Sequence, residues 1–367
     1  MNNLSKSIDF LLENAGSVIQ LRLRKEILGN LTKTEEENLL EKILQTPNYK
    51  LVESYVKPNG YIGNGMHSHS NWRGVKFHNT PLQDGEAAAR LLADYRIPKE
   101  SPIIKNFVAA MRNEDVLREE FSNFPTAVKR YENRYNCMNT GNSLMGLMYF
   151  MQGILGYGDD YAELVRFQDD CLRCFFRVFE IKSFDEITKE SSARSNKYEF
   201  RIIDSNEYFP GAYNLEFLAN TKKWRTQGII RQMTDALNRI NNELEPFTPF
   251  LIDSYGNYIG AFHALTSPLK PFRTDDDSYF YRGVYTNIAK LGVGESVEVL
   301  AQTKVNILEA IDSDGILRLT AKNTYTKWNK YRTLESASKE PKYAQECDAT
   351  FWAVEFLHFV KNTELTK

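Results

Sequence analysis

The sequence predicts an all-α protein whose helices form an α/α toroid, a closed ring of about six helical hairpins with minor β-hairpin decorations. Three observations carry this. Apolar residues recur at helical spacing along most of the 367 residues. Helices that read as buried begin near residues 84, 142, 209, 280 and 348, with a partner helix between successive starts. That is a period of roughly 65 residues, the mark of repeated hairpins. The buried faces carry large aromatics in place of the small residues of tight stacking, which favours a ring around a cavity over an open solenoid of the same units. The chain, 1–367, reads as one domain.

The elements follow in order. Residues 17–29 place apolar side chains at helical intervals and end on Gly29. A helix over 34–44 has Thr34 as its expected cap and Glu35, Glu36 and Glu37 in the dipole-favoured first turn. A polar stretch over 57–81 is long for a connection, and long loops are often functional. Asp84 then opens Gly85-Glu86-Ala87-Ala88-Ala89-Arg90-Leu91-Leu92-Ala93, which Pro98 closes, with 103–111 as its partner. The run 139–151 is apolar nearly all round and pairs with the amphipathic 161–180. Residues 208–219 start the third clear unit, Pro210 being tolerated in a first turn, and 224–244 return. Helices over 279–291, 296–311 and 348–359 complete the count. Residues 199–203 and 250–259 read as strands, the second as a small hairpin around Tyr255-Gly256-Asn257.

Composition narrows the function classes. Hydrophobic residues make up 42%, charged residues 26%, and the formal net charge is −2. No basic surplus or basic run points to nucleic acid or to an anionic membrane. Four cysteines (Cys137, Cys171, Cys174 and Cys347) are too few for a disulfide framework. The N-terminus lacks a signal peptide's basic and apolar regions, and no apolar run approaches the roughly 18 residues of a membrane span. A cytoplasmic protein is expected.

Several groups of residues are able to carry chemistry. Asp275, Asp276 and Asp277 are adjacent carboxylates, and mutual repulsion in a partly buried mouth raises a pKa. Asp276 or Asp277 then serves as a general acid; the alternative is a cap at a helix start. His67, His69 and His78 fall in one segment with Trp72. His69 or His78 suits a general base, and the spacing closes no tetrahedral metal site, so neither metal nor cofactor is expected. Asp84, Asn142, Tyr208 and Asp348 mark the other buried helix starts. In a ring, alternate helices run parallel and these starts gather on one face. Tyr213, Tyr279, Tyr281, Trp328 and Trp352 are candidates for the cavity wall, where aromatic faces stabilise cations. Cys171 and Cys174 read as core, while Cys137 and Cys347 precede inner helices and are candidates to face the cavity.

The segments Ser17-Val18-Ile19-Gln20-Leu21-Arg22-Leu23-Arg24, Tyr208-Phe209-Pro210-Gly211-Ala212-Tyr213-Asn214-Leu215-Glu216-Phe217-Leu218-Ala219 with Trp224-Arg225, and Asp348-Ala349-Thr350-Phe351-Trp352-Ala353 resemble the terpenoid cyclase and protein prenyltransferase superfamily of α/α toroids. The resemblance covers nearly the whole chain at the level of fold. The motifs depart from it. Class II cyclases carry Asp-x-Asp-Asp, and Thr274 replaces the first aspartate here. No Asp, Cys and His set matches prenyltransferase zinc ligands, and the Cys-His-Gly of lanthipeptide cyclases is missing. The resemblance implies the fold more than the activity.

Together these readings point to an enzyme with an aromatic-lined central cavity doing acid–base chemistry, of cyclase, isomerase or lyase type, on a small apolar or aromatic compound. A carbohydrate-active α/α barrel, glycosidase or lyase, is the second reading, because Trp, Tyr and paired carboxylates also suit sugars. A non-catalytic ligand-binding or scaffold toroid is the third. The oligomeric state is open.

Overall fold

The computed structural model describes residues 3–65, 84–132, 144–195, 198–204, 207–244, 250–254, 257–260, 265, 268–320, 334 and 343–361. The protein is mainly helical. The described helices are α1 (Asn3–Asn14), α2 (Ser17–Arg22), α3 (Lys33–Leu44), α4 (Pro47–Glu53), α5 (Gly85–Asp94), α6 (Pro102–Arg112), α7 (Glu114–Glu120), α8 (Phe124–Glu132), α9 (Leu144–Gln152), α10 (Ala162–Phe176), α11 (Ala212–Ala219), α12 (Gln227–Asn242), α13 (Arg282–Ile288), α14 (Glu298–Ala310) and α15 (Ala344–Lys361).

One series makes most of the core. α5 packs on α9, α9 on α11, α11 on α13 and α13 on α15. α15 then returns to α1 and to the turn that follows α2. The remaining helices pack alongside, α8 on α9, α10 on α11 and α14 on α15. One large hydrophobic cluster runs through the series. A smaller one, with Leu11, Ile19, Leu23, Cys347, Phe351 and Val354, joins α15 to the first two helices.

Three helices, α2 and two of the series, end alike. A π turn follows α2 at Leu23–Ile27, α9 at Gly153–Tyr157 and α13 at Ala289–Val293. Each ends on or around a Leu-Gly pair: Leu28-Gly29, Leu155-Gly156 and Leu291-Gly292. The three glycines take φ of 62°, 92° and 85°, the left-handed region that ends a helix at little cost only for glycine. At the end of α5, Arg96 takes the same region with φ 54°. Its amide reaches the Ala93 carbonyl at 3.1 Å and the next amide, Ile97, the Leu92 carbonyl at 3.0 Å. The penalty for a side chain there is about 1–2 kcal/mol, and the Arg96 side chain is paired with Glu26.

Several boundaries differ from the sequence expectations. The cap of α3 is Thr32, not Thr34. Thr32 and Glu35 form a capping box, in which the threonine hydroxyl accepts from the Glu35 amide while the Glu35 carboxylate accepts from the Thr32 amide. Pro210 lies outside α11, whose N-cap is Gly211; the Pro210 carbonyl accepts the Leu265 amide at 2.9 Å. Asp348 sits inside α15, four residues after its start, because the helix begins at Ala344. The helix expected at 279 opens with a 3-10 turn, Asp277–Tyr281.

The strand expectations hold in kind and grow in extent. β1 (Thr188–Ser195), β2 (Tyr198–Asp204), β3 (Phe250–Ser254) and β4 (Asn257–Gly260) form one sheet in that order. β1–β2 and β3–β4 are antiparallel hairpins, and β2–β3 is parallel, with Ile203 opposite Ile252. The two pieces expected to be separate decorations therefore join as one sheet. Parallel pairing demands a long crossover, which α11 and α12 supply.

Candidate functional site

The first candidate site is built where α15 meets the start of α13. Asp348 is 5% exposed. Its Oδ1 accepts the Leu334 amide at 2.8 Å and its Oδ2 accepts the Tyr279 hydroxyl at 3.3 Å. Burial pushes this carboxyl above the usual carboxylate range, although the Arg282 guanidinium and both hydrogen bonds act in the opposite sense. One turn along α15, Trp352 packs edge-on against Tyr279 at 5.4 Å and against Phe272 at 4.9 Å. Its indole N–H donates to the Arg282 carbonyl at 3.0 Å and the Thr286 hydroxyl at 3.1 Å. The Arg282 guanidinium lies 4.7 Å from the Tyr279 ring centre. The i, i+4 spacing puts Asp348 and Trp352 on one face of α15, so three of the residues expected from the sequence meet here: Tyr279, Asp348 and Trp352.

The second candidate site joins α5 to α11. Arg90 donates from Nη1 to both Glu216 oxygens, at 2.7 and 2.5 Å, and from Nε to Glu86 Oε1 at 2.8 Å. The other Glu86 oxygen accepts the Tyr213 hydroxyl at 3.2 Å. The guanidinium lies 4.7 Å from the Phe150 ring centre and 5.7 Å from that of Tyr213. Burial opposes the charge on Arg90, and the two carboxylates more than offset it, holding the guanidinium protonated. Arg90, Glu86 and Glu216 were not among the residues singled out from the sequence. The available signals were the Glu86–Arg90 i, i+4 spacing and a lone glutamate in the apolar run of α11.

The acid triplet does not form a buried, mutually repelling cluster. Asp275 is exposed and paired with Arg273 at 2.9 and 3.0 Å, and the Arg273 hydrogen bonds hold its pKa below the usual range. Asp276 is the N-cap of the 3-10 turn and accepts the Ser278 amide at 2.7 Å. Asp277 is described in its backbone alone. Asp84 likewise caps α5, accepting the Ala87 amide at 2.8 Å. Tyr208 is half-buried and hydrogen-bonded to Arg173. Tyr281 is 43% exposed. His69, Trp72, His78, Asn142 and Trp328 lie outside the described residues, as does Cys137.

Cys171 and Cys174 are buried core, as the sequence implies, and the Asn214 amide donates to Cys171 Sγ at 3.5 Å. Cys347 corrects an expectation. It is buried in the small cluster against α1 and α2, because it precedes Asp348 by one residue and so turns to another face of α15.

A separate apolar cleft of about 500 Å³ lies between α3, α4 and the start of α6, with Leu40, Leu44, Tyr49, Ile97 and Ile103 in its wall. It contains none of the residues expected from the sequence. Among the described residues no group of three or more His, Cys, Asp or Glu side chains is placed to hold a metal ion. None of the described helices is long and apolar enough to cross a membrane.

Comparison with protein-family models, with curated proteins and with solved structures finds no match to this chain.

Proposed function

We propose that α2, α5, α9, α11, α13 and α15 close into the inner ring of an α/α toroid, and that its centre is the active site of an acid–base enzyme of cyclase, isomerase or lyase type acting on a small molecule. The order of helix packing supports the ring, and the return of α15 to the first helices supports its closure. The observation that carries the enzymatic reading is Asp348. A buried carboxyl with raised pKa keeps its proton to higher pH and is suited to donate it to an alkene or to a hydroxyl leaving group. Tyr279 orients it, and Trp352 forms the wall beside it. We therefore assign the acid to Asp348 in place of Asp276 or Asp277, of which Asp276 is a helix cap, and His69 or His78 keeps the proposed role of base.

The test is turnover. Wild-type protein and Asp348→Asn are incubated with a small-molecule extract, and consumption is followed by mass spectrometry. Wild type consumes a compound that Asp348→Asn consumes at least about 10²-fold more slowly, the loss typical of a missing general acid. Equal consumption by both proteins removes Asp348 from the chemistry.

One observation favours the carbohydrate reading over a purely apolar substrate. Tyr213, Tyr279 and Trp352 are buried in the seams between helices. The partly exposed pair that joins α5 to α11 is charged, Arg90 with Glu216. A surface of that kind suits hydroxyl-bearing ligands better than a hydrocarbon.

A further inference from the structure

We infer that the centre of the ring binds a neutral compound with vicinal hydroxyls, held by Arg90 and Glu216. The inference rests on the toroid reading and names the ligand class of that same centre.

The position comes first. α5 and α11 flank α9, so a bridge between them crosses one face of α9. Phe150 lies under that bridge. Tyr149, its neighbour in sequence, lies about 100° round the helix and meets Tyr131 of α8 and Phe167 of α10, each at 5.2 Å. α8 and α10 pack alongside the series, so the bridge lies on a different face of α9 from theirs, the face that the proposed ring turns to its centre.

The free edges come next. Arg90 and Glu216 each keep 21% side-chain exposure, against 5% for Glu86. Arg90 commits Nε and Nη1, and its Nη2 makes no hydrogen bond among the described residues. Each Glu216 oxygen takes one bond from Arg90 and has a further acceptor site. A rigid N–H donor thus stands beside carboxylate acceptors, and the Arg90 fork is held over Phe150 and Tyr213 before any ligand arrives. Such preorganisation lowers the cost of binding.

Charge and desolvation then select the ligand. The Glu216 carboxylate forms one side of the open edge and repels an anion there. A cation offers Nη2 nothing to accept its proton. A hydrocarbon displaces water from charged groups and replaces none of its hydrogen bonds. Adjacent hydroxyls accept from Nη2 and donate to Glu216 together, which matches the paired edge.

The test uses the full chain and four probes: myo-inositol, methyl α-D-glucopyranoside, D-glucuronate and geraniol. Binding is read by saturation-transfer NMR and titration up to about 10 mM, a range that covers weak sites. Both neutral polyols bind, glucuronate and geraniol bind more weakly, and Glu216→Gln weakens the polyols by about tenfold or more. Arg90→Lys, which keeps the charge and loses the fork, weakens them too. The comparison among probes on wild type stands even if a variant fails to fold. Tighter binding of glucuronate or geraniol, binding of none of the four, or polyol affinity unchanged in a folded Glu216→Gln overturns the inference. Failure here with Asp348-dependent turnover intact removes the ligand class alone. Polyol binding without Asp348-dependent turnover removes the acid alone.

Discussion

Arg22 on α2 and Glu355 on α15 are 333 positions apart and form a buried, hydrogen-bonded ion pair. The same carboxylate meets Lys290, just after α13, at 3.1 Å. Arg22 also lies near Glu26, which binds Arg96 at the end of α5. α2, α15, the turn after α13 and the end of α5 meet in one charged network, and α2 and α15 are tied through it. Hydrophobic contact alone is indifferent to a slip along a helix axis; a buried ion pair is not, because a displaced partner leaves a charge unpaired.

Glu355→Leu tests this network. It leaves Arg22 and Lys290 buried without their shared partner and should cost about 3–5 kcal/mol, read as a lower urea midpoint. Adding Lys290→Met should return part of the loss, since the two sites share a partner and are not additive. The pH dependence has a definite sign. Burial raises the Glu355 pKa, but Arg22, Lys290 and Arg96 outweigh it and hold it at about 2, against an ordinary 4.5. A carboxyl depressed in the folded state stabilises above its unfolded pKa, and that contribution is lost as pH falls from about 4.5 toward 2. Glu355→Leu should flatten this acid limb. An equally steep limb in the variant would assign acid unfolding to other groups.

Gly153 is a second point of control. A Cβ built there collides with the Phe217 ring, so the turn after α9 and α11 approach as closely as they do because the side chain is missing. Gly153→Ala gains about 1 kcal/mol of helix propensity and loses about 1–3 kcal/mol to overpacking. Phe217 also packs edge-on to Phe167 at 4.7 Å, which leaves it little room to move. Overpacking should win, with a lower melting temperature that Phe217→Leu in the same chain partly restores. A melting temperature above wild type would mean that Phe217 moves freely.

The helical series was legible because each helix buries a continuous apolar face at a regular interval. Ends were less legible. Thr34 looked like the cap of α3, but Thr32 has the glutamate at the right distance to close a capping box. The Leu-Gly pairs at 28–29, 155–156 and 291–292 were visible and would have marked three helix ends, since glycine at a left-handed φ is what stops them. The site was legible in part. Tyr279, Asp348 and Trp352 meet because the start of α13 packs on α15. Arg90 and Glu216 were not legible, because they are 126 positions apart and their pairing depends on both helices flanking α9. The triplet at 275–277 drew notice by its density of charge, and density alone does not say whether a carboxylate faces a cavity, a backbone amide or Arg273.

The triplet gives a simple contrast. Asp276→Ala removes the acceptor of the Ser278 amide and should cost about 1 kcal/mol, as lost caps do. Asp276→Asn keeps an acceptor and should match wild type in both stability and turnover. Asp275→Ala loses an exposed pair with Arg273 and should hardly change the melting temperature, because surface pairs contribute little. Loss of turnover in a fully stable Asp276→Asn would restore the triplet as the acid.

Asp348 supplies the prediction that separates a poised acid from a structural carboxylate. Its pKa is raised by burial, the reverse of Glu355. The folded state holds this proton more tightly than the unfolded chain does. Its contribution is therefore fully present below the ordinary value of 3.8 and is lost as pH rises through the folded pKa. Asparagine does not titrate. Its oxygen still accepts the Leu334 amide, and its amide group faces the Tyr279 hydroxyl, which is able to accept as well as donate. Wild type and Asp348→Asn should be about equally stable at pH 3, and the variant should be as stable or more stable at pH 8. Each tenfold gain in proton affinity of the folded state corresponds to about 1.4 kcal/mol of that difference. A structural carboxylate would behave oppositely, and its removal would destabilise most at high pH. Stability at pH 8 that stays level or rises, together with turnover lowered by about 10²-fold or more, would show that the fold tolerates a stability cost in order to keep this carboxyl protonated. A fall in stability at pH 8 with turnover unchanged would make Asp348 an anchor for Leu334 and nothing more.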